Sequence, residues 1–93
     1  MLVSHGIHTE YNIVPLNDVT KLEDENIESL DAAFVIIPSI GLGGVRKLEI
    51  ELGESAMVMG LRLLGIFSVQ FCRLNGANPV ITVDLNEERR NWP

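Results

Sequence analysis

The 93-residue sequence predicts an α/β fold: one βαβ unit with two parallel strands, preceded by helices and a short N-terminal β segment. Three observations predict it. A short β-prone run at 56–59 ends in Gly60, an apolar pattern of helical period covers 63–74, and a second β-prone run covers 79–84 and ends in an acid. Consecutive strands joined by a helix run parallel, with a right-handed crossover. Hydrophobic residues make up 46% of the chain and charged residues 22%, a composition that folds instead of remaining disordered.

Taken in order, Tyr11, Ile13 and Val14 before Pro15 predict a strand near 9–15, with Asn17 and Asp18 as turn formers after it. Residues 19–22 can continue as a second extended piece. From Ile27 the period changes: Ile27, Leu30, Ala33, Phe34 and Ile37 recur at helical spacing, with Glu28 and Asp31 early, where acids complement the helix dipole. This predicts a helix over 28–37. Pro38 disfavours helix at Ile37 and places a break there. Ser39 is then the expected cap of a second helix reaching Arg46, Lys47 and Leu48. Gly41, Gly43 and Gly44 weaken that helix by about 1 kcal/mol each relative to alanine, which points to close packing against another backbone.

Residues 53–55 read as a turn, 56–59 as a buried strand, and 63–74 as a helix ended by Asn75-Gly76. The strand over 79–84 follows, and Glu87 to Trp92 begins a further helix. No internal repeat or low-complexity segment interrupts the pattern.

The net charge of −6 and the lack of a Lys/Arg run exclude nonspecific nucleic-acid binding, because phosphates would be repelled. The carboxylates of Glu23, Asp24, Glu25, Glu28 and Asp31 read as a solvated helix entrance and not as a metal site. Cys72 is the single cysteine, so neither an intrachain disulfide nor a thiolate metal cluster can form, which suits a reducing cytoplasm. Cys72 falls on the sheet-facing side of its helix and is assigned to the core. The amino terminus lacks the basic and apolar regions of a signal peptide, and no apolar stretch reaches membrane-spanning length, so a cytoplasmic chain with no membrane contact is expected.

The stretch "VMGLRLLGIF", residues 58–67, carries the chemistry. In a βαβ dinucleotide site the first glycine permits the tight turn, the second lets the backbone approach the pyrophosphate, and the third lets helix and strand pack closely. Gly60 and Gly65 fill the first and third positions, and Arg62 stands at the second. The pyrophosphate would lie at the amino end of the helix starting near Leu63, where free N–H groups favour an anion. Asp84, 24 positions after Gly60, stands where an acid accepts hydrogen bonds from the adenosine ribose. An acid there also repels a 2′-phosphate, favouring NAD over NADP. The alternative is that the two glycines only shape a tight turn and Asp84 only caps the helix after it.

These residues resemble a known family. The segment "ESLDAAFVIIPSIGLGGVRKLEIELGESAMVMGLRLLGIFSVQFCRLNGANPVITVDLNEERR" is similar to the zinc-type alcohol dehydrogenases of the medium-chain dehydrogenase/reductase superfamily, at the joint between the catalytic domain and the first βαβ unit of the Rossmann domain. Matching positions include Gly53, Val58, Gly60, Gly65, Val69, Gln70, Gly76, Ala77, Val80, Ile81 and Asp84. The upstream "HTEYNIVP", residues 8–15, resembles a stretch near the end of the family's GroES-like catalytic domain. The resemblance implies a partial Rossmann fold. Its expected divisions are 1–26, a remnant of the catalytic domain; 27–52, connecting helices; and 53–93, the first βαβ unit. It also implies NAD(P)-dependent oxidation of alcohols or polyols, usually with a catalytic zinc. By position, Gly60, Leu61, Arg62, Leu63, Leu64 and Gly65 would line the pyrophosphate, and Asp84 would hold the adenosine ribose. Arg89 falls where related enzymes carry a basic residue near the adenosine, and equally reads as a solvated first-turn arginine.

Three departures shape the expected function. The β-carbon of Arg62 stands where pyrophosphate must approach, so NAD binding is expected to be weak or vestigial, although a guanidinium can also pair with phosphate. The family's zinc motifs lie upstream of anything in this sequence, and "HGIHTE", with His5, His8 and Glu10, precedes a strand and matches a non-ligand part of the family; no metal ligand and no catalytic residue is assigned. The sequence stops early in the helix after the second Rossmann strand, before the nicotinamide half of the sheet. The expectation is a dehydrogenase fragment that keeps part of a site for NAD or an ADP-ribose moiety and is inactive alone. The alternative is a non-enzymatic module. Open strand edges invite pairing, so a homo-oligomer, a dimer burying Val35, Ile36, Ile40, Leu42 or a sheet edge, is also expected.

Overall fold

The structure is a computed structural model that describes residues 2–4 and 6–91. It divides into two compact units, Met1–Ile36 and Ile37–Pro93, each with its own contacts.

In the first unit β1 (Leu2–Ser4) pairs antiparallel with β2 (Val19–Lys21), Val3 opposite Thr20. The expected extended piece after residue 18 is therefore present as β2, but the expected strand near 9–15 is not. Residues 8–11 are bends and 12–15 irregular, with Tyr11 and Ile13 fully or nearly fully exposed. The partner that a strand there would need is taken, because β2 pairs with β1. Pro15 leads into a short 3-10 turn at Leu16–Asp18, closed by the Asp18 N–H donating to the Pro15 carbonyl at 3.0 Å. Helix α1 (Ser29–Ala33) buries Ala32.

The single helix expected over 28–37 is divided earlier than predicted. Phe34 is the C-cap of α1, and α2 (Ile36–Lys47) begins two residues before Pro38. Proline is tolerated in a first turn, where its missing N–H has no intrahelical acceptor. Pro38 therefore sits inside the start of α2 and the break falls upstream of it. Ser39 is consequently within α2 and does not cap it.

The second unit holds the predicted βαβ. β3 (Ala56–Met59) and β4 (Val80–Val83) run parallel, from Ala56 opposite Val80 to Met59 opposite Val83, and α3 (Leu63–Leu74) connects them. Alternation along the strands turns Ala56, Val58 and Val80 inward, where they meet Val45 of α2 and Phe71 and Cys72 of α3. Cys72 is 1% exposed, and this burial pushes its thiol pKa up. The opposite face of the strands carries Met57, Met59, Ile81 and Val83, all exposed.

Of the three α2 glycines, only Gly41 is at a close contact: a β-carbon there would meet Ser68, Leu64 and Phe71 of α3. Gly43 and Gly44 face open space, so the expected packing against another backbone is not found: the one close contact, at Gly41, is with side chains. Helix α3 ends as predicted, with Asn75 as C-cap and Gly76 at φ 89°, whose carbonyl accepts from the Gly53 N–H at 2.8 Å. α4 (Glu87–Arg90) starts where expected; Trp92, the predicted end, lies outside the described residues.

Candidate functional site

The site begins where β3 runs out. The Gly60 N–H donates to the Val83 carbonyl at 2.7 Å, prolonging the ladder by one residue, and Gly60 then turns the chain at φ 96°. This is the left-handed region that favours glycine. A β-carbon on Gly60 would meet nothing within 4 Å, so the outer side of the turn is open. Arg62 follows as N-cap of α3 in extended backbone, φ −76° and ψ −176°, and its side chain makes no capping hydrogen bond. Its carbonyl accepts the first intrahelical bond from the Ile66 N–H at 2.9 Å, which leaves the amino-terminal N–H groups of α3 without intrahelical acceptors.

Gly65 lies behind the turn. A β-carbon there would run into the Gly60 carbonyl oxygen, so glycine is what lets the first turn of α3 close on β3. Leu61 is buried and Leu63 and Leu64 are exposed at 42% and 43%. Arg62 is exposed.

Asp84 follows β4 directly and reaches back to this turn. Its Oδ2 accepts from the Leu61 N–H at 2.6 Å, and its Oδ1 accepts from the Asn86 N–H at 2.8 Å. The Arg89 guanidinium stands 3.6 Å from Oδ1, with the Asp84 side chain 7% exposed. The Leu61 and Asn86 N–H bonds, with the Arg89 charge beside them, hold the Asp84 carboxyl below its ordinary range. Oδ1 faces both the Asn86 N–H and Arg89, while Oδ2 keeps a lone pair for one further donor.

Asp84 does not cap the following helix with its side chain. Asn86 does, its side-chain oxygen accepting from the Arg89 N–H at 3.1 Å. The guanidinium of Arg89 is paired with Asp84 and so is not simply solvated. Sequence reasoning passed over Asn86 and Arg90, whose Nη1 donates to the Asp84 carbonyl at 2.8 Å. An asparagine one position before a charged helical turn is the N-cap signal that could have found the first. Beside Asp84, an open groove of about 180 Å³ has Arg73, Arg89 and Arg90 around a floor of Leu61, Ile66 and Val69.

Gly60, Leu61, Asp84 and Arg89 are thus brought together and Gly65 backs the turn, while Arg62 and Leu63 are exposed after it and the Leu64 side chain lies beside Gly41 of α2. Among the described residues no group of three or more His, Cys, Asp or Glu is placed to hold a metal ion; His5 of "HGIHTE" lies outside them. No described helix is long and apolar enough to cross a membrane.

No family model matches the chain, and no solved structure gives a significant match. Curated sequences do. The chain is 26% identical over 84 residues to an uncharacterized zinc-type alcohol dehydrogenase-like protein of Escherichia coli, covering 90% of this chain and 24% of that protein. It is 32% identical over 89 residues to S-(hydroxymethyl)glutathione dehydrogenase of Paracoccus denitrificans, 88% of this chain and 22% of that one. L-threonine 3-dehydrogenase of Aeromonas hydrophila is 32% identical over 85 residues, with 90% and 24% covered. The chain therefore spans about a quarter, or less, of the length of these relatives. With the parallel β3–α3–β4 unit and the acid after β4 in the places this resemblance requires, the chain belongs to the zinc-type alcohol dehydrogenase family, over one segment of its members' length.

Proposed function

We propose that residues 53–93 retain the adenosine and pyrophosphate half of a dinucleotide site, that NAD is the cofactor it accepts, and that this chain alone does not transfer hydride. One observation carries the reading: the Asp84 carboxylate is hydrogen-bonded to the turn that would hold the pyrophosphate, through the Leu61 N–H at 2.6 Å. Acid, turn and helix amino terminus are thereby held in one place before any ligand arrives. The residues fit the group in two further ways. The outer side of Gly60 is open, and the first N–H groups of α3 have no intrahelical acceptor, so an anion can meet the backbone there.

Within the site, the free lone pair of Asp84 Oδ2 would accept from a ribose hydroxyl, and the Leu61 and Asn86 N–H bonds, with the Arg89 charge beside them, would keep that carboxylate ionised. The same negative charge disfavours a 2′-phosphate. Arg62 is the weak point of the half-site, because its side chain leaves the N-cap where the ligand backbone would pass. NAD, when bound in a complete enzyme, supplies the hydride acceptor; this chain contributes only orientation and charge at the adenosine end. The divisions 1–26, catalytic-domain remnant, and 27–52, connecting helices, follow from the same reading, as does oxidation of an alcohol or polyol by the whole protein.

Calorimetric titration of NAD and ADP-ribose into the wild type and Arg62→Gly tests it. The expected result is weak binding by the wild type, in the millimolar range (about −4 kcal/mol), and roughly tenfold tighter binding by Arg62→Gly, for both ligands alike. Absence of heat in the wild type together with no gain in Arg62→Gly would remove the proposal.

A second reading is compatible with the first: the chain self-associates. The observation favouring it is the number of large apolar side chains left exposed in the second unit, Ile40, Leu48, Met57, Met59, Ile81 and Val83 among them.

A further inference from the structure

We infer that Arg89 is a specificity-determining residue: its guanidinium holds one seat on the Asp84 carboxylate, so the acid recognises only one of the two hydroxyls of a nucleotide ribose. The ligand is an adenine nucleotide of which one hydroxyl, 2′ or 3′, is dispensable. This rests on the reading of residues 53–93 as an adenosine and pyrophosphate half-site and states what that site distinguishes.

Acceptor positions set the limit. An ionised carboxylate offers about four lone-pair positions, two on each oxygen. On Asp84, Oδ2 accepts from the Leu61 N–H at 2.6 Å, Oδ1 accepts from the Asn86 N–H at 2.8 Å, and the Arg89 guanidinium stands 3.6 Å from Oδ1. Two vicinal hydroxyls need two positions, and a single one, on Oδ2, is left. The Asp84 side chain is 7% exposed and that of Arg89 36%, so on this side the guanidinium meets the solvent and covers the acid.

Arg89 keeps this seat for three reasons. First, its backbone is tied to the acid: the Asn86 side chain accepts from the Arg89 N–H at 3.1 Å, while the Asn86 N–H donates to Asp84. Carboxylate, cap and guanidinium thereby close a ring over residues 84–89. Second, the Arg90 Nη1 donates to the Asp84 carbonyl at 2.8 Å, so the first turn of α4 cannot draw away from the acid without breaking another contact. Third, displacement is unfavourable, because exchanging a cation for a neutral hydroxyl gives up the Coulomb attraction to a carboxylate with little water around it. In the competing arrangement Arg89 turns to a phosphate of the ligand, which leaves that covered carboxylate without its cation.

Titration of ADP, 2′-deoxy-ADP and 3′-deoxy-ADP into the full 93-residue chain carrying Arg62→Gly, followed by nuclear magnetic resonance at the Leu61 amide, reads the outcome. One analogue is expected to bind about tenfold more weakly than ADP, having lost a hydrogen bond to a charged acceptor, and the other within about twofold of it. With Arg89→Met added, Oδ1 is free for the second hydroxyl, so both analogues are expected to fall about tenfold below ADP, and ADP itself to bind at least as tightly as before. Should the Arg89 variant not fold, the analogue pattern with Arg89 in place decides the matter alone. Failure of ADP to bind removes the half-site reading and the inference with it. Three results overturn the inference while leaving the half-site standing: both or neither analogue weakened with Arg89 in place, a single analogue still weakened after Arg89→Met, or ADP itself weakened by that change.

Discussion

Asp84 holds three structural roles with one carboxylate: it fixes the Leu61 N–H of the turn, the Asn86 N–H before α4, and the Arg89 guanidinium. All three favour the ionised form, so its pKa in the folded chain lies below the ordinary 3.8. A group whose pKa is depressed by folding contributes stability that is present in full above its unfolded value and is lost as pH falls through its folded value. Urea denaturation of the wild type and Asp84→Asn at stepped pH should show this directly. The wild type is expected to be the more stable above pH 3.8, with the advantage shrinking as pH drops below it. A difference that is independent of pH would mean that the carboxylate's charge contributes nothing. The position of Asp84 after the second strand was legible in the sequence from spacing alone. Its bond to the turn was not, because that depends on the direction the Leu61 N–H takes after Gly60 reverses the chain, and on Asn86 claiming the cap of α4.

β3, α3 and β4 have the residue bounds expected from the sequence, apart from the loss of Pro79 and Asp84 at the ends of the last strand. Their limits are written locally: Gly60 and Gly76 adopt positive φ, and the apolar period does the rest. The expected strand at 9–15 failed for the opposite reason. A strand exists only with a partner, and Tyr11, Ile13 and Val14 have a suitable composition without one. The first turn of α3 closes against the end of β3 at Gly65. Gly65→Ala would press a methyl group onto the Gly60 carbonyl. A loss of about 1–3 kcal/mol in unfolding free energy is expected, measured by urea denaturation, with displacement of the Leu61 amide resonance in the same variant. An unchanged Leu61 amide would mean that α3 and the turn do not touch as described.

At the scale of the whole chain, charge and apolar surface act against each other. Two copies each carrying −6 repel at long range, while the apolar side chains exposed in the second unit favour the self-association proposed above. Screening should therefore strengthen the dimer. Raising sodium chloride from about 20 mM to about 150 mM shortens the Debye length from roughly 20 Å to 8 Å, and a several-fold fall in the dissociation constant by sedimentation is expected. Weakening by salt would indicate ion pairs across the contact instead. The family relationship, by contrast, was readable before any fold was in view, because it is carried by many matched positions spread along the chain and not by one geometry.

The turn at 60–65 separates what folding requires from what a ligand requires. Gly60 is fixed by its backbone angle and Gly65 by the carbonyl in front of it, so the fold itself penalises a side chain at either position. Position 62 is under no such demand: its backbone is extended, open to any residue, and its side chain reaches outward. A glycine there serves only the bound molecule. The three positions of this one loop therefore answer to two separate demands: Gly60 and Gly65 to the closing of α3 on β3, and position 62 to whatever approaches the amino end of the helix.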